Sequence, residues 1–103
     1  MVANLNLDQV QGFDWDQGNA RKSEDKHAVS QAEAEQVFFN EPLVVAADER
    51  HSVSEKRFHA LGRTDSGRLL QIAFTMREAD TMIRVISARD MNRRERARYA
   101  QAT

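Results

Sequence analysis

The sequence predicts an α+β fold of two layers, in which two helices are followed by an antiparallel sheet and a final helix. Apolar residues follow a helical spacing before Pro42 and alternate with polar residues after it. Two capping-box sequences, Ser30-Gln-Ala-Glu33 and Asn92-Arg-Arg-Glu95, indicate helix starts on either side of the alternating region. Short turn-forming segments separate the alternating runs, which favours strands that pair with their neighbours in sequence.

The segment before Pro42 predicts the two helices. Asp16 is positioned to cap the first, which runs to about Lys26 and is polar on most faces. Ser30 caps the second, which runs to about Phe39. Pro42 ends the helical region, because proline disfavours helical geometry in the residue before it.

The segment after Pro42 predicts a sheet of about four strands. In the second of them, Phe58 and Ala60 alternate with Arg57 and His59, the pattern of a strand that is buried on one side. Asn92 then caps a C-terminal helix that runs to about Ala100. The predicted strands are Leu43 to Ala47, Arg57 to Gly62, Leu69 to Arg77 and Met82 to Ala88.

The chain has 103 residues, the length of one domain. Residues 1–11 lack a usable period and are predicted to form an N-terminal extension, with residues 12–103 as a single domain. Phe13-Asp14-Trp15 is either a short strand or a packed aromatic plug. The longest apolar run, Pro42 to Ala47, is far shorter than the roughly 20 residues of a membrane helix. Without a signal-peptide pattern or any cysteine, the sequence is expected to act in the cytoplasm.

Charge is distributed unevenly along the chain. Residues 1–49 carry three basic and ten acidic side chains, whereas residues 50–103 carry twelve basic and six acidic ones. Eleven of those twelve basic residues are arginine, whose guanidinium group binds phosphate through two parallel hydrogen bonds. The pattern indicates either a basic face for an anionic partner or charges that neutralise each other in the folded chain.

The candidate functional groups of this sequence are its arginines and a few titratable side chains. Metal-ligand spacings, glycine-rich phosphate loops and the G-x-S-x-G motif do not occur in the sequence, so no metal or cofactor is expected. RNA cleavage without metal needs a base for the 2′-hydroxyl proton, an acid for the leaving 5′-oxygen, and arginines for the phosphate charge. In an antiparallel sheet, Arg57 and either Arg77 or Arg89 converge on one face.

A series of short motifs runs through residues 13–100, and together they resemble the BrnT family of bacterial type II toxins. The most specific are Arg84-x-Ile-Ser-Ala-Arg89 and Arg93-Arg94-Glu95-Arg96-x-x-Tyr99. The others are Phe13-Asp-Trp-Asp16, Lys26-His27-x-Val29, Ser30-x-x-Glu33-Ala34, Phe38-x-x-x-Pro42, Asp48-x-Arg50-His-Ser52, Glu55-x-Arg57, Leu61-Gly62 and Gly67-Arg-Leu-Leu70.

The resemblance implies a fold like that of the RelE-type ribonucleases, cleavage of RNA without a metal ion, and arrest of translation. It also implies a cognate antitoxin of the BrnA kind, which binds the toxin in a hetero-oligomer and carries the domain that contacts operator DNA. The toxin itself is then expected to contact RNA and not a membrane.

The resulting hypothesis for the site has catalytic and binding members. His27 or Glu55 is expected to transfer protons, and the arginines are expected to bind and stabilise phosphate. For each histidine the alternative is an ordinary, partly exposed side chain. The catalytic candidates are His27, Glu55, Arg57, Arg77 and Arg89, and the RNA-binding candidates are Lys26, Arg50, Arg84, Arg93 and Tyr99.

Four positions depart from the family pattern. Asn19 stands where lysine is usual, which removes one possible phosphate contact, and Ser23 stands where asparagine is usual. Ala28 and Ser54 replace glycines, and glycine tolerates φ values that alanine does not. A degenerate, non-catalytic module that binds RNA or the antitoxin is therefore the alternative to an active toxin.

Overall fold

A computed structural model of the chain describes residues 7–51 and 54–102. The helices are α1 (Gln17–His27), α2 (Gln31–Val37) and α3 (Arg93–Ala100). The strands are β1 (Gly12–Phe13), β2 (Val44–Ala47), β3 (Arg57–Arg63), β4 (Leu69–Arg77) and β5 (Met82–Asp90). A five-stranded sheet carries α2 on one face and α3 on the other, while α1 packs along the strand β5.

The sheet is mixed, which corrects the prediction of four antiparallel strands. Strands β2 to β5 are antiparallel neighbours in the order β5-β4-β3-β2, as predicted. The fifth strand, β1, pairs parallel with β5 through Gly12 and Phe13. Two residues are too few to show an alternating pattern, so the sequence left a strand and an aromatic plug equally open at this point.

The capping residues were predicted correctly. Asp16, Ser30 and Asn92 each accept a hydrogen bond from the backbone N–H three residues later, and each helix begins directly after its cap. α2 ends at Val37, earlier than the prediction of about Phe39, because the chain turns there on the way to Pro42. β5 continues to Asp90, beyond the predicted end.

The main core lies between the sheet and helix α2. Its centre is Phe74, which is fully buried, with Phe58 stacked against it at a ring-centroid distance of 5.5 Å. α2 approaches β3 closely at Gly62, where an added Cβ would lie 2.6 Å from Cγ1 of Val37. The residues that the predicted alternation places on one side of the strand, such as Phe58 and Gly62, are therefore the ones that face the main core.

α1 is held to the sheet by polar side chains, which explains why its sequence is weakly amphipathic. Asn19 is buried, and its Nδ2 donates hydrogen bonds to the carbonyl oxygens of Asp14 and Val85 at 3.0 and 2.9 Å. The backbone N–H of Ala88 donates to Oγ of the buried Ser23 at 2.7 Å. The helix thus satisfies backbone groups of β5 that a further strand would otherwise bond.

The opposite face of the sheet, called the open face below, is covered only in part. α3 packs over one end of it, where Leu61, Met91 and Tyr99 form a second, smaller core. The side chains of the open face alternate with those of the main core, and β2 contributes Val44 and Ala46, which oppose Leu61 and His59. On β3, β4 and β5 they include Arg57, His59, Leu61, Gln71, Ala73, Thr75, Arg77, Arg84, Ser87 and Arg89.

The predicted extension, residues 1–11, falls only partly within the described residues. Residues 1–6 lie outside them, whereas Leu7 and Val10 pack against the main core. Leu7–Gln9 and Glu49–His51 form short 3-10 turns. Within the described ranges, no helix is long and apolar enough to cross a membrane.

Candidate functional site

Three cross-strand rows of side chains build the centre of the open face. The first row is Arg57, Thr75 and Arg84, the second is His59, Ala73 and Ser87, and the third is Leu61, Gln71 and Arg89. Neighbouring strands are about 4.8 Å apart, and successive rows on one face are roughly 7 Å apart. Ala73 and Ser87 of the second row are small, and they therefore leave a shallow trough between the arginines of the first and third rows.

A β-bulge lies in the middle of this face. The pairing of β4 with β5 shifts between Ala73 and Phe74, so that Ala73 opposes Ser87 while Phe74 opposes Val85. Ile86 is consequently an extra residue in β5. Bulges are frequent next to active sites, where they redirect side chains.

Arg89 stands at one border of the trough and is held by a carboxylate. Its two terminal nitrogens donate to the two oxygens of Glu95 at 2.8 and 2.9 Å. Burial of Glu95 opposes ionisation, but the hydrogen bonds from Arg89 and from the Asn92 backbone outweigh it and lower the pKa of this carboxyl. Glu95 also caps α3, so one carboxylate fixes both the arginine and the helix.

Arg84 stands at the sheet edge, on the opposite border of the trough. Its Nη2 donates to Oδ2 of Asp16 at 2.8 Å, and its Nη1 lies 3.5 Å from Oδ2 of Asp14. The pKa of Asp16 is lowered, first by the backbone hydrogen bond from Asn19 and then by the hydrogen bond from Arg84. Arginines of the basic half thus meet carboxylates of the acidic half, which orients these arginines and neutralises part of their charge.

Glu55 and Arg77, both predicted catalytic residues, form an ion pair where β3 begins and β4 ends. Each side chain remains 37 % exposed. Thr75 is buried beside them, and its hydroxyl donates to the carbonyl oxygen of Lys56 at 2.6 Å. That bond fixes the start of β3 against β4, which keeps Glu55 at the border of the open face.

His27, also predicted to be catalytic, lies away from the open face. It is exposed at the last position of α1, near Asp90 at the end of β5, with the exposed Lys26 beside it. Its backbone carbonyl accepts a hydrogen bond from Arg68 at 3.2 Å. The sequence did not show that His27 lies away from the open face, because the position of a helix on a sheet depends on contacts between residues that are distant in sequence.

The remaining RNA-binding candidates occupy three different environments. Arg50 is exposed in the short turn after β2, and Arg93 is exposed in the first turn of α3. Tyr99 is buried, and its hydroxyl donates to the carbonyl oxygen of Pro42 at 2.6 Å. The structure therefore uses the Tyr99 hydroxyl inside the protein, between α3 and the segment before β2.

His59 is a candidate that the sequence analysis left out of the site. It lies in the middle row of the open face, with Nε2 3.0 Å from Oδ2 of Asp48. The His59 side chain is 40 % exposed, whereas that of Asp48 is only 9 % exposed. The alternation with Phe58 and Ala60 already predicted an outward-facing His59; its carboxylate partner could not be identified without the pairing of β2 with β3.

Within residues 7–51 and 54–102, histidine, aspartate and glutamate side chains do not form a group of three or more that could hold a metal ion. The open face carries arginines and a histidine, with carboxylates at its borders.

One comparison with known proteins gives a match. The model of a family described as "Ribonuclease toxin, BrnT, of type II toxin-antitoxin system" matches residues 15–95, which is most of the chain. This range includes the three rows of the open face, Glu55 and the Asp48–His59 pair. A search among curated proteins gives no match.

Proposed function

This chain belongs to the BrnT family of ribonuclease toxins of type II toxin-antitoxin systems, and on that premise we propose that it cleaves RNA in the trough of its open face. Cleavage needs no metal ion, arrests translation and takes place in the cytoplasm. The observation that carries the proposal is that arginines lie on both sides of the second row of the open face, which contains His59.

The trough suits the backbone of a single RNA strand. Arg57, Arg84 and Arg89 can reach a phosphate above Ala73 and Ser87 from different sides. Their carboxylate partners hold the guanidinium groups of Arg84 and Arg89 in place before substrate binds. Preorganised cations of this kind stabilise the charge that develops on phosphate in the transition state.

His59 replaces His27 as the proposed proton acceptor. The 2′-oxygen loses its proton to His59 and attacks the adjacent phosphorus, and the bond from phosphorus to the 5′-oxygen breaks. The products are a 2′,3′-cyclic phosphate and a 5′-hydroxyl, which forms when the leaving 5′-oxygen takes up a proton from solvent. Asp48 orients the imidazole ring, and Glu55 with Arg77 is the second proton-transfer group on this face.

The proposed partner is a cognate antitoxin of the BrnA kind, with which the chain forms a hetero-oligomer. Operator DNA is contacted only through that antitoxin, and the toxin itself contacts RNA. A non-catalytic module that binds RNA or the antitoxin is the second candidate. The observation that favours it is the pairing of Arg77, Arg84 and Arg89 with carboxylates, which lowers the positive charge of the face.

The test compares two histidine variants in the purified chain, with single-stranded RNA and excess EDTA. We expect His59→Gln to lower the cleavage rate by about 10²–10⁴-fold, the usual contribution of a proton-transfer group. His27→Gln, the matched control, is expected to cleave like the wild type. Thermal unfolding of both variants shows whether the fold is retained.

Three other results of this test would change the proposal. Loss of cleavage in His27→Gln alone would return the catalytic role to the end of α1. Loss of wild-type cleavage in EDTA would contradict the metal-free mechanism. A folded wild type that binds RNA and leaves it intact, with and without added divalent metal, would establish the binding module.

A further inference from the structure

A cleft of about 220 Å³ opens between α3 and the sheet, beside the trough. Val44, Ala46 and Leu61 give it apolar walls, and His59 and Gln71 are among its polar lining residues. Pockets for drug-sized ligands usually measure about 300–1,000 Å³. The cleft is smaller, and its size and lining suit one flat ring system that has apolar faces and a polar edge.

Gln71 is the unusual residue of this cleft. It is 5 % exposed and lies between Leu61 and Arg89 in the third row of the open face. Among the described residues its side-chain amide has no hydrogen-bond partner, and its polar atoms are accessible from the cleft. An amide that is nearly buried, faces a cleft and bonds no protein group is available to hydrogen-bond a ligand that enters the cleft.

We propose that this cleft binds one nucleobase of the RNA substrate and that Gln71 reads the edge of the base. The proposal rests on the ribonuclease function above, because it assigns the base next to the phosphate in the trough. A glutamine amide presents a donor and an acceptor side by side, which match the adjacent amino group and ring nitrogen of adenine. Adenine is therefore the expected base.

The surroundings of Gln71 support a base rather than the side chain of a partner protein. Glu95 lines the same cleft, and its carboxylate, kept ionised by Arg89, favours an edge that carries an amino group. An aliphatic or aromatic side chain would leave the Gln71 amide unpaired. Arg89 opposes Gln71 directly in the sheet, so a base in the cleft places its own sugar and phosphate at the trough.

The first test measures binding alone. Adenosine 5′-monophosphate is titrated into the ¹⁵N-labelled chain, and ribose 5-phosphate serves as the ligand that carries the phosphate without the base. We expect the nucleotide to shift the side-chain amide signals of Gln71 and to bind at least tenfold more tightly than ribose 5-phosphate. Gln71→Met, which keeps the length and removes the amide, should abolish that difference, whereas Gln31→Met, at an exposed position of α2, should keep it.

The second test maps the cleavage sites in a long RNA of mixed sequence. We expect a preference for adenine at one position relative to the cleaved bond, which Gln71→Met removes while overall cleavage continues. If Gln71→Met does not fold, Gln71→Glu takes its place, and it should reduce the preference by exchanging the amide donor for an acceptor. Equal binding of both ligands, or an unchanged preference in the variants, would overturn the proposal.

The two tests separate this proposal from the ribonuclease function. Cleavage without base preference, together with equal affinity for both ligands, would leave the function standing and remove the base cleft. If the nucleotide binds in a way that depends on Gln71 but the chain cleaves no RNA, the base cleft would stand and the ribonuclease function would be removed. A cleft that is filled instead by a peptide from the antitoxin, with no effect of the nucleotide, would also overturn it.

Discussion

Arg84 and Arg89 lie on the same face of β5, although five positions separate them along the strand. Side chains alternate between the two faces of a regular strand, so an odd separation would place these arginines on opposite faces. The extra residue Ile86 resets the alternation between them. The bulge therefore brings both guanidinium groups to the open face, one on each side of the trough.

We predict that Arg84 and Arg89 each make one phosphate contact. For single-stranded nucleic acid, the slope of log K against log salt is about −0.7 per neutralised phosphate. Arg84→Ala or Arg89→Ala should therefore make the slope shallower by about 0.7, measured with a 2′-O-methyl RNA that resists cleavage. Arg21→Ala, on the exposed side of α1, is the charge-matched control. An equal change of slope in all three variants would contradict a localised phosphate site.

Tyr99 is predicted to stabilise the fold rather than to bind RNA. Tyr99→Phe removes the hydroxyl that donates to the carbonyl oxygen of Pro42 and leaves that oxygen without this partner. The free energy of unfolding should fall by about 1–3 kcal/mol, as measured by urea denaturation. The affinity for RNA should stay the same at temperatures where the variant is folded. A loss of RNA affinity without a loss of stability would restore the RNA-binding role.

Gly62 is predicted to be necessary for the contact between α2 and β3. A Cβ at this position would lie 2.6 Å from Cγ1 and 3.2 Å from the backbone oxygen of Val37, so the helix must move. Gly62→Ala should lower the free energy of unfolding by about 1–3 kcal/mol, the usual cost of overpacking. At Gly12 an added Cβ meets Met82 at an ordinary 3.5 Å, so Gly12→Ala is the control. Equal stability of the two variants would show that the helix adjusts freely.

The sequence predicted the features that depend on local chemistry. A capping residue and the groups it bonds are only three positions apart, so Asp16, Ser30 and Asn92 could be identified directly. The alternation of β4 gave that strand its correct bounds, Leu69–Arg77, because each of its faces packs against a different layer.

The features that the sequence did not predict depend on contacts between distant segments. The Asp48–His59 pair requires the register of β2 against β3, and the bulge at Ile86 is visible only in the pairing of β5 with β4. Arg68 was one motif residue among many, yet it joins Glu33, Asp90 and the end of α1. Charge composition left open a basic face and charges that neutralise each other, because it could not show which carboxylates lie against the arginines.

We predict that the fold loses stability in acid through the carboxylates around Arg68. The pKa of Asp90 is lowered mainly by its hydrogen bond from Arg68, and that of Glu33 by the Ser30 backbone and then by Arg68. Because these pKa values are lower in the folded chain, the contribution is complete above about pH 4.3, the higher of the unfolded values. It is lost as the pH falls further, through the pKa values of the folded chain.

Arg68→Met separates this effect from general acid denaturation. At pH 7 the variant should lose about 1–3 kcal/mol of unfolding free energy, since Arg68 donates charged hydrogen bonds to both carboxylates. The difference from the wild type should shrink as the pH falls below about 4.3, because the carboxyls then become protonated in both states as the pH passes their lowered pKa values. Urea denaturation at pH 7, 5, 3.5 and 2.5 measures both curves. A difference that is constant with pH would contradict the assignment to these carboxylates.

Ala28 is predicted to be a position where glycine stabilises the fold. It ends α1 in the left-handed region, with φ 54° and ψ 40°, a conformation that costs a residue with a Cβ roughly 1–2 kcal/mol. Glycine removes that cost but makes the unfolded chain more flexible, which costs about 0.4–1 kcal/mol. Ala28→Gly should therefore raise the stability by about 0.5–1 kcal/mol, or a few degrees in Tm.

Ala97→Gly in α3 is the control and should instead lose about 0.5–1 kcal/mol, because Ala97 is exposed inside a helix. Since Ala28 lies at the end of α1, away from the trough, RNA cleavage by Ala28→Gly should equal that of the wild type; a lower Tm would mean that the left-handed turn does not form.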